Sequence, residues 1–132
     1  MRFIPTKTHG YIDYLMGILL IAAPWILDFD RGGAETWIPV VLGAGMIVYS
    51  LLTDYELGAS RTLSMRTHLT LDLVGGLLLA VSPWLFGFDD YVYIPHLVLG
   101  IAEIGASLMT KTQPSNERHT NRTHTHGTAT AH

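Results

Sequence analysis

The chain has 132 residues, of which 48% are hydrophobic and 14% charged, with a mean hydropathy of +0.30; a water-soluble domain carries about 25% charged residues, so the composition points to a membrane protein. A net charge of −3 without a basic cluster argues against a nucleic-acid partner. The absence of cysteine excludes disulfides, thiolate metal sites and cysteine nucleophiles.

Residues 1–7 form a short amino-terminal segment carrying Arg2 and Lys7. The first apolar run, 9–27, follows, and its only acid or base is Asp13. Arg2 and Lys7 ahead of such a run imitate a secretory leader, but a copy of the run lies mid-chain, where no leader is cleaved. The second run, 37–53, holds no Asp, Glu, Lys or Arg. The third, 68–86, holds only Asp72, and the fourth, 94–110, only Glu103. Each is about 17–19 residues long, near the ~20 needed to span ~30 Å of hydrocarbon. A helix buried in a soluble bundle keeps a polar face, for which "MGILLIAAPWIL" and "LVGGLLLAVSPWLF" leave no room.

Basic residues gather in three places: Arg2 and Lys7; Arg61 and Arg66 between the second and third runs; Lys111, Arg118 and Arg122 after the fourth. The other two connections, "DFDRGGAET" and "GFDDYVY", contain Arg31 alone. The positive-inside rule then places both termini and the middle loop in the cytoplasm.

The third run repeats the first. With a shift of 59 residues, 8–30 and 67–89 are identical at Thr8/Thr67, His9/His68, Asp13/Asp72, Gly17/Gly76, Leu19/Leu78, Leu20/Leu79, Pro24/Pro83, Trp25/Trp84, Phe29/Phe88 and Asp30/Asp89. More weakly, "WIPVVLG" at 37–43 matches "YIPHLVLG" at 93–100, aligning Pro39 with Pro95. The expected fold is all-α: an integral membrane four-helix bundle of two tandem parallel helical-hairpin repeats. Its parts are the N-terminus (1–7), repeat 1 (8–56), a cytoplasmic loop (57–66), repeat 2 (67–110) and a tail (111–132). The longest connection, "DYELGASRTLSMR", has helix-compatible stretches suited to the membrane surface.

"SPW" at 82–84, its variant "APW" at 23–25 and the preceding His and Asp make the chain similar to the SPW-repeat family of small bacterial integral membrane proteins. The resemblance runs from residue 8 to about 110. It implies two repeats, four transmembrane helices and a bacterial cytoplasmic membrane, but no activity. Ala23 departs from the motif, which weakens any role for the Ser82 hydroxyl.

At ~3.6 residues per turn, His9, Asp13, Gly17, Leu20 and Pro24 share one stripe, as do His68, Asp72, Gly76, Leu79 and Pro83. Gly17 and Gly76, reinforced by Gly75, suit close helix packing. Pro24 and Pro83 should kink or end their helices. Trp25 and Trp84 then fall at the outer interface as anchors, or stack on a ligand. The Phe and Asp that follow form the turn. Pro39 and Pro95 suit helix starts, and Thr8 and Thr67 suit N-caps.

His9–Asp13 and His68–Asp72 are i, i+4 pairs. Two readings stay open. Each His donates to its own Asp or to the Asp of the other repeat, locking the bundle, or the four converge on a functional site. Imidazole with carboxylate suits Zn, Fe or Mn, and His suits proton transfer. Glu103 lies mid-span, opposite Gly45, Met46 or Ile47 of the second span. Without a basic partner it is expected neutral and hydrogen-bonded, or else it serves an ion, a proton or another subunit. His96 is expected at surface level. The tail is polar and is read as disordered, with His119, His124, His126 and His132 as weak metal ligands at most.

There is no phosphate loop, HExxH or GxSxG, so no enzyme and no cofactor are expected. The lipid bilayer is the first partner, followed by a second copy or a larger membrane complex. A structural or accessory membrane module is the leading function. The alternative is a small proton- or metal-ion transporter using the His/Asp pairs and Glu103.

Overall fold

In hydrocarbon every backbone polar group must be satisfied within its own segment, so long apolar runs become helices. The computed structural model describes residues 2–113 and contains α1 (Thr6–Ile26), α2 (Ala34–Leu51), α3 (Met65–Leu85) and α4 (Ile94–Met109). Among these residues the only β pairing is two isolated bridges, Ile4–Thr110 and Thr53–Leu63. The first three helices are long and apolar enough to cross a membrane. The fourth is apolar but has 16 residues, about 24 Å at ~1.5 Å per residue.

Helix α1 packs on α2, and α3 on α4; α2 against α3 joins the hairpins. Glycines set both hairpin crossings. A Cβ at Gly43 would lie 2.6 Å from the Gly17 carbonyl oxygen, and one at Gly100 would lie 2.6 Å from that of Gly76. Backbones meet there because no side chain intervenes. Gly75 has open space around it, so the expectation that it packs like Gly76 is corrected. Leu20, Leu79 and Met46, from α1, α3 and α2, form a small apolar core.

The distribution of polarity is inverted relative to a soluble protein. His9, Asp13, His68, Asp72, Glu103, Ser50 and Ser107 are buried, whereas Leu15, Ile18, Val41, Val74, Leu77 and Ile101 face outward. Such an exterior suits acyl chains. The protein is a membrane protein.

Helix ends differ from the sequence reading in detail. α3 begins at Met65, capped by Ser64, whose hydroxyl accepts from the Thr67 amide at 3.2 Å. α1 begins at Thr6 after Pro5. Thr8 and Thr67 therefore lie inside their helices, not at the cap. Pro39 lies inside α2, which starts at Ala34, whereas Pro95 does sit in the first turn of α4. Pro24 and Pro83 do not stop their helices, which run on to Ile26 and Leu85. The stop comes from Asp28 (φ 57°) and Gly87 (φ 74°), equivalent positions in left-handed conformation. Their turns return the Phe29 and Phe88 amides to the carbonyls of Pro24 and Pro83, at 2.9 and 2.8 Å.

The connection from Leu52 to Ser64 is irregular, not helical. The amino-terminal residues clamp the end of α4: the Phe3 and Ile4 amides donate to Met109 O, and Arg2 Nη1 donates to the carbonyls of Ser107 and Thr110. Both described ends thus lie at one end of the bundle. Residues 114–132, with the four tail histidines, lie outside the described residues.

Candidate functional site

The stripes of α1 and α3 face each other with their amino-terminal ends side by side, which brings both His–Asp pairs together. All four side chains are 0% exposed. His9 Nε2 is 2.7 Å from Asp72 Oδ2 and 3.0 Å from Asp13 Oδ2. His68 Nε2 lies 3.1 Å from Asp72 Oδ2 and makes a short hydrogen bond with Asp13 Oδ2. Each imidazole nitrogen therefore touches one carboxylate oxygen from each repeat. The four atoms form a closed ring of alternating nitrogen and oxygen.

The outer face of each imidazole is held by the opposite repeat. His68 Nδ1 is 2.8 Å from Thr53 Oγ1, just past α2, and His9 Nδ1 is 2.7 Å from Thr110 Oγ1, just past α4. Each threonine gives its one hydroxyl hydrogen to a carbonyl four residues back, Tyr49 or Ala106, at 2.6 Å. Toward histidine it can then only accept, so each Nδ1 carries a hydrogen and each Nε2 points at the carboxylates.

Two departures break the symmetry. Asp72 Oδ1 receives a short hydrogen bond from the Tyr49 hydroxyl. The position matching Tyr49 in α4 is Ala106, and Asp13 Oδ1 has no hydrogen-bond partner. The position matching Met46 in α4 is Glu103, buried beside Asp13, with neither carboxyl oxygen in hydrogen-bond geometry. Glu103 also floors a crevice of about 330 Å³ between α2 and α3, walled by Val41, Gly45, Tyr49, Val74 and Gly75. Gly75 thus shapes this crevice.

Below the ring, Tyr55 tilts against His68 at 5.6 Å. Burial, with Tyr14 beside it, pushes the Tyr55 phenol above the ordinary range, so it remains a hydroxyl.

The sequence reading missed Tyr49, Thr53 and Thr110. A signal for the threonines exists. After "VLG" the second arms register at a shift of 57, which pairs Gly43/Gly100, Ser50/Ser107 and Thr53/Thr110. The prolines register at 56, so the arms differ by one inserted residue.

The model of the SPW repeat domain family matches residues 7–110. The chain belongs to that family. No curated protein and no solved structure matches it.

The residues of the SPW motif have distinct tasks. Pro83 has no amide hydrogen, which frees the Leu79 carbonyl four residues back. Ser82 Oγ donates to that carbonyl at 2.7 Å. The motif serine thus repairs the bond that the motif proline breaks. In the first repeat Ala23 has no hydroxyl to offer. Trp25 and Trp84 project outward, 54% and 51% exposed, and Pro24 and Pro83 are buried. Ser82→Ala is expected to cost ~1–3 kcal/mol, the penalty of an orphaned buried carbonyl. The check is reversible unfolding in mixed micelles.

The same repair explains His96, which is 1% exposed and corrects the expectation of a surface residue. Pro39 frees the Glu35 carbonyl, and His96 Nε2 donates to it across the repeats at 2.8 Å. The ring lies between Phe29 and Phe88, at 5.1 and 4.9 Å. The repeated phenylalanines therefore enclose the histidine that joins α4 to α2. Nearby, Arg31 stacks on the Tyr91 ring at 3.4 Å. His96→Phe keeps the aromatic volume and loses the donor. It should destabilise by ~1–3 kcal/mol, whereas the same change in a Pro39→Ala background should be milder, because the restored amide satisfies Glu35.

Proposed function

We propose that the protein is a structural or accessory module of the bacterial cytoplasmic membrane, without enzymatic activity, which assembles with a second copy or a larger membrane complex. The observation that carries this reading is the crossed bonding of the His–Asp ring. Each imidazole is gripped by an aspartate and a threonine of the opposite repeat, and all four ring residues are sealed from solvent. Groups arranged for passage of a solute would open to water on at least one side. Here the buried polar groups fasten one hairpin to the other. Both described chain ends lie at the same end of the bundle, which supports both termini on the cytoplasmic side; reporter fusions at each end test this.

The test of function is capture of the tagged chain from native membranes under mild detergent. A reproducible stoichiometric membrane partner, or a homo-oligomer, is the expected result. A solitary monomer sinks the accessory role.

A second reading, proton or metal-ion transport, draws support from one place. Glu103 and Asp13 Oδ1 are buried, adjacent and unpaired, and Glu103 borders the crevice. Flux in proteoliposomes that disappears in Glu103→Gln, with folding intact, would favour transport over the structural role.

A further inference from the structure

We propose that the ring of His9, Asp13, His68 and Asp72 is a divalent metal site with Zn²⁺ as its best-fitting occupant, so that the fastener between the hairpins is a metal centre.

The donor set is two imidazole nitrogens and two carboxylate oxygens, all converging within 4.8 Å of one another. Zn²⁺ accepts four such ligands in a closed tetrahedron, with bonds of ~2.0–2.2 Å and hence ligand–ligand edges of roughly 3.3–3.6 Å. Three of the nitrogen–oxygen edges, at 2.7, 3.0 and 3.1 Å, approach that size, and the fourth, His68 to Asp13, is shorter. Small outward movements of side chains that share no backbone hydrogen bond complete it.

The outer shell fits the same assignment. A metal-ligating imidazole donates its other N–H to an oxygen, which fixes tautomer and ring orientation. Thr53 and Thr110 accept from the two Nδ1–H groups, and their own hydrogens are committed to carbonyls. Both Nε2 atoms are thereby directed to the centre. Tyr49 holds the distal oxygen of Asp72 and leaves Oδ2 to ligate. Asp13 Oδ1 lies beside Glu103 and stays outside the four-donor set.

Charge also balances. With hydrogens on both Nε2 atoms, two imidazolium groups face two carboxylates. One Zn²⁺ in place of those two hydrogens leaves the centre neutral, as a site sealed from water requires. Four oxygen or nitrogen donors without a sulfur favour Zn²⁺ over Cu⁺, and the two imidazoles disfavour Mg²⁺ and Ca²⁺.

This inference rests on the structural reading above, and the two fail separately. The full chain is made with His119, His124, His126 and His132 replaced by alanine, so that the tail cannot bind metal. It is purified in detergent, stripped with a chelator, and reloaded with Zn²⁺ alone or Co²⁺ alone. The expected result is retention of about one Zn²⁺ per chain through gel filtration, and with Co²⁺ the intense visible bands of a four-coordinate site. Asp13→Asn/Asp72→Asn should retain none, and Glu103→Gln should retain all. Thr53→Val/Thr110→Val keeps every ligand and should weaken Zn²⁺ binding about 10–100-fold.

Failure of the folded chain to retain either ion overturns the proposal, as does equal retention by the double-Asn variant. If the double-Asn variant does not fold, the threonine variant decides, and unchanged affinity overturns the proposal. A chain that takes no metal yet loses stability in Asp72→Ala retires the metal and keeps the fastener. A chain that takes metal but is indifferent to Asp72→Ala retires the fastener.

Discussion

Asp72→Ala should be the most damaging single substitution in the buried ring, lowering stability in micelles by ~3–5 kcal/mol, the range for removing one partner of a buried ion pair. Asp72 meets His9, His68 and the Tyr49 hydroxyl. Its loss leaves two imidazoles facing one carboxylate, and a phenol without an acceptor. Asp13→Ala should be milder, because Asp13 serves the same two histidines but its Oδ1 has no partner to lose. Unfolding monitored by tryptophan fluorescence ranks the pair. Equal losses, or a larger one at Asp13, would show that the Tyr49 bond contributes nothing. The conservative Tyr49→Phe isolates that bond and should recover the difference between the two aspartates.

Gly100→Val is expected to break the second hairpin. A Cβ at Gly100 would lie 2.6 Å from the Gly76 carbonyl oxygen, 2.6 Å from the Ala80 amide nitrogen and 2.7 Å from Ala80 Cβ. Two of these are backbone atoms, so α3 and α4 must separate. Overpacking at such a contact costs ~1–3 kcal/mol or more, and here the separated helices also lose the packing that replaces hydrophobic drive in lipid. Gly75→Ala is the control, one residue from Gly76 on the same helix. Its Cβ would meet nothing within 4 Å, and alanine is the better helix former by ~1 kcal/mol. The expected outcome is loss of disulfide cross-linking between one cysteine on α3 and one on α4, introduced at the rim of their contact, in Gly100→Val, and no change in Gly75→Ala.

Much of this arrangement was legible in the amino acids. The duplicated stripe His–Asp–Gly–Leu–Pro identified the buried faces of α1 and α3, since identity between copies concentrates where both copies meet the same surroundings. The fate of Gly75 was not legible, because adjacent glycines look alike until the helix phase is set by its neighbours. The starts of α1, α2 and α3 lie about one turn before the apolar runs, whereas α4 starts at Ile94 where its run does. Polar residues such as Thr6 and Glu35 can occupy a first turn that hydropathy assigns to a loop. Thr53 and Thr110 escaped notice because they lie just beyond α2 and α4 and align only after the one-residue insertion in the second arm. His96 was misplaced for a different reason. Its partner is a carbonyl freed by a proline 57 positions earlier in the chain, and no local pattern announces such a vacancy. Of the three helix-interior prolines, Pro83 and Pro39 have their freed carbonyls served from different sources, Ser82 within its own helix and His96 from across the bundle.

The crossed threonine contacts leave neither hairpin complete by itself. A lone hairpin built like residues 8–56 would hold a histidine whose distal nitrogen lacks its hydroxyl, and an aspartate with one imidazole instead of two. Two identical copies side by side would supply every missing contact by simple rotation. In the single chain the two halves are not identical at the edge of the ring, where Ala106 corresponds to Tyr49 and Glu103 to Met46.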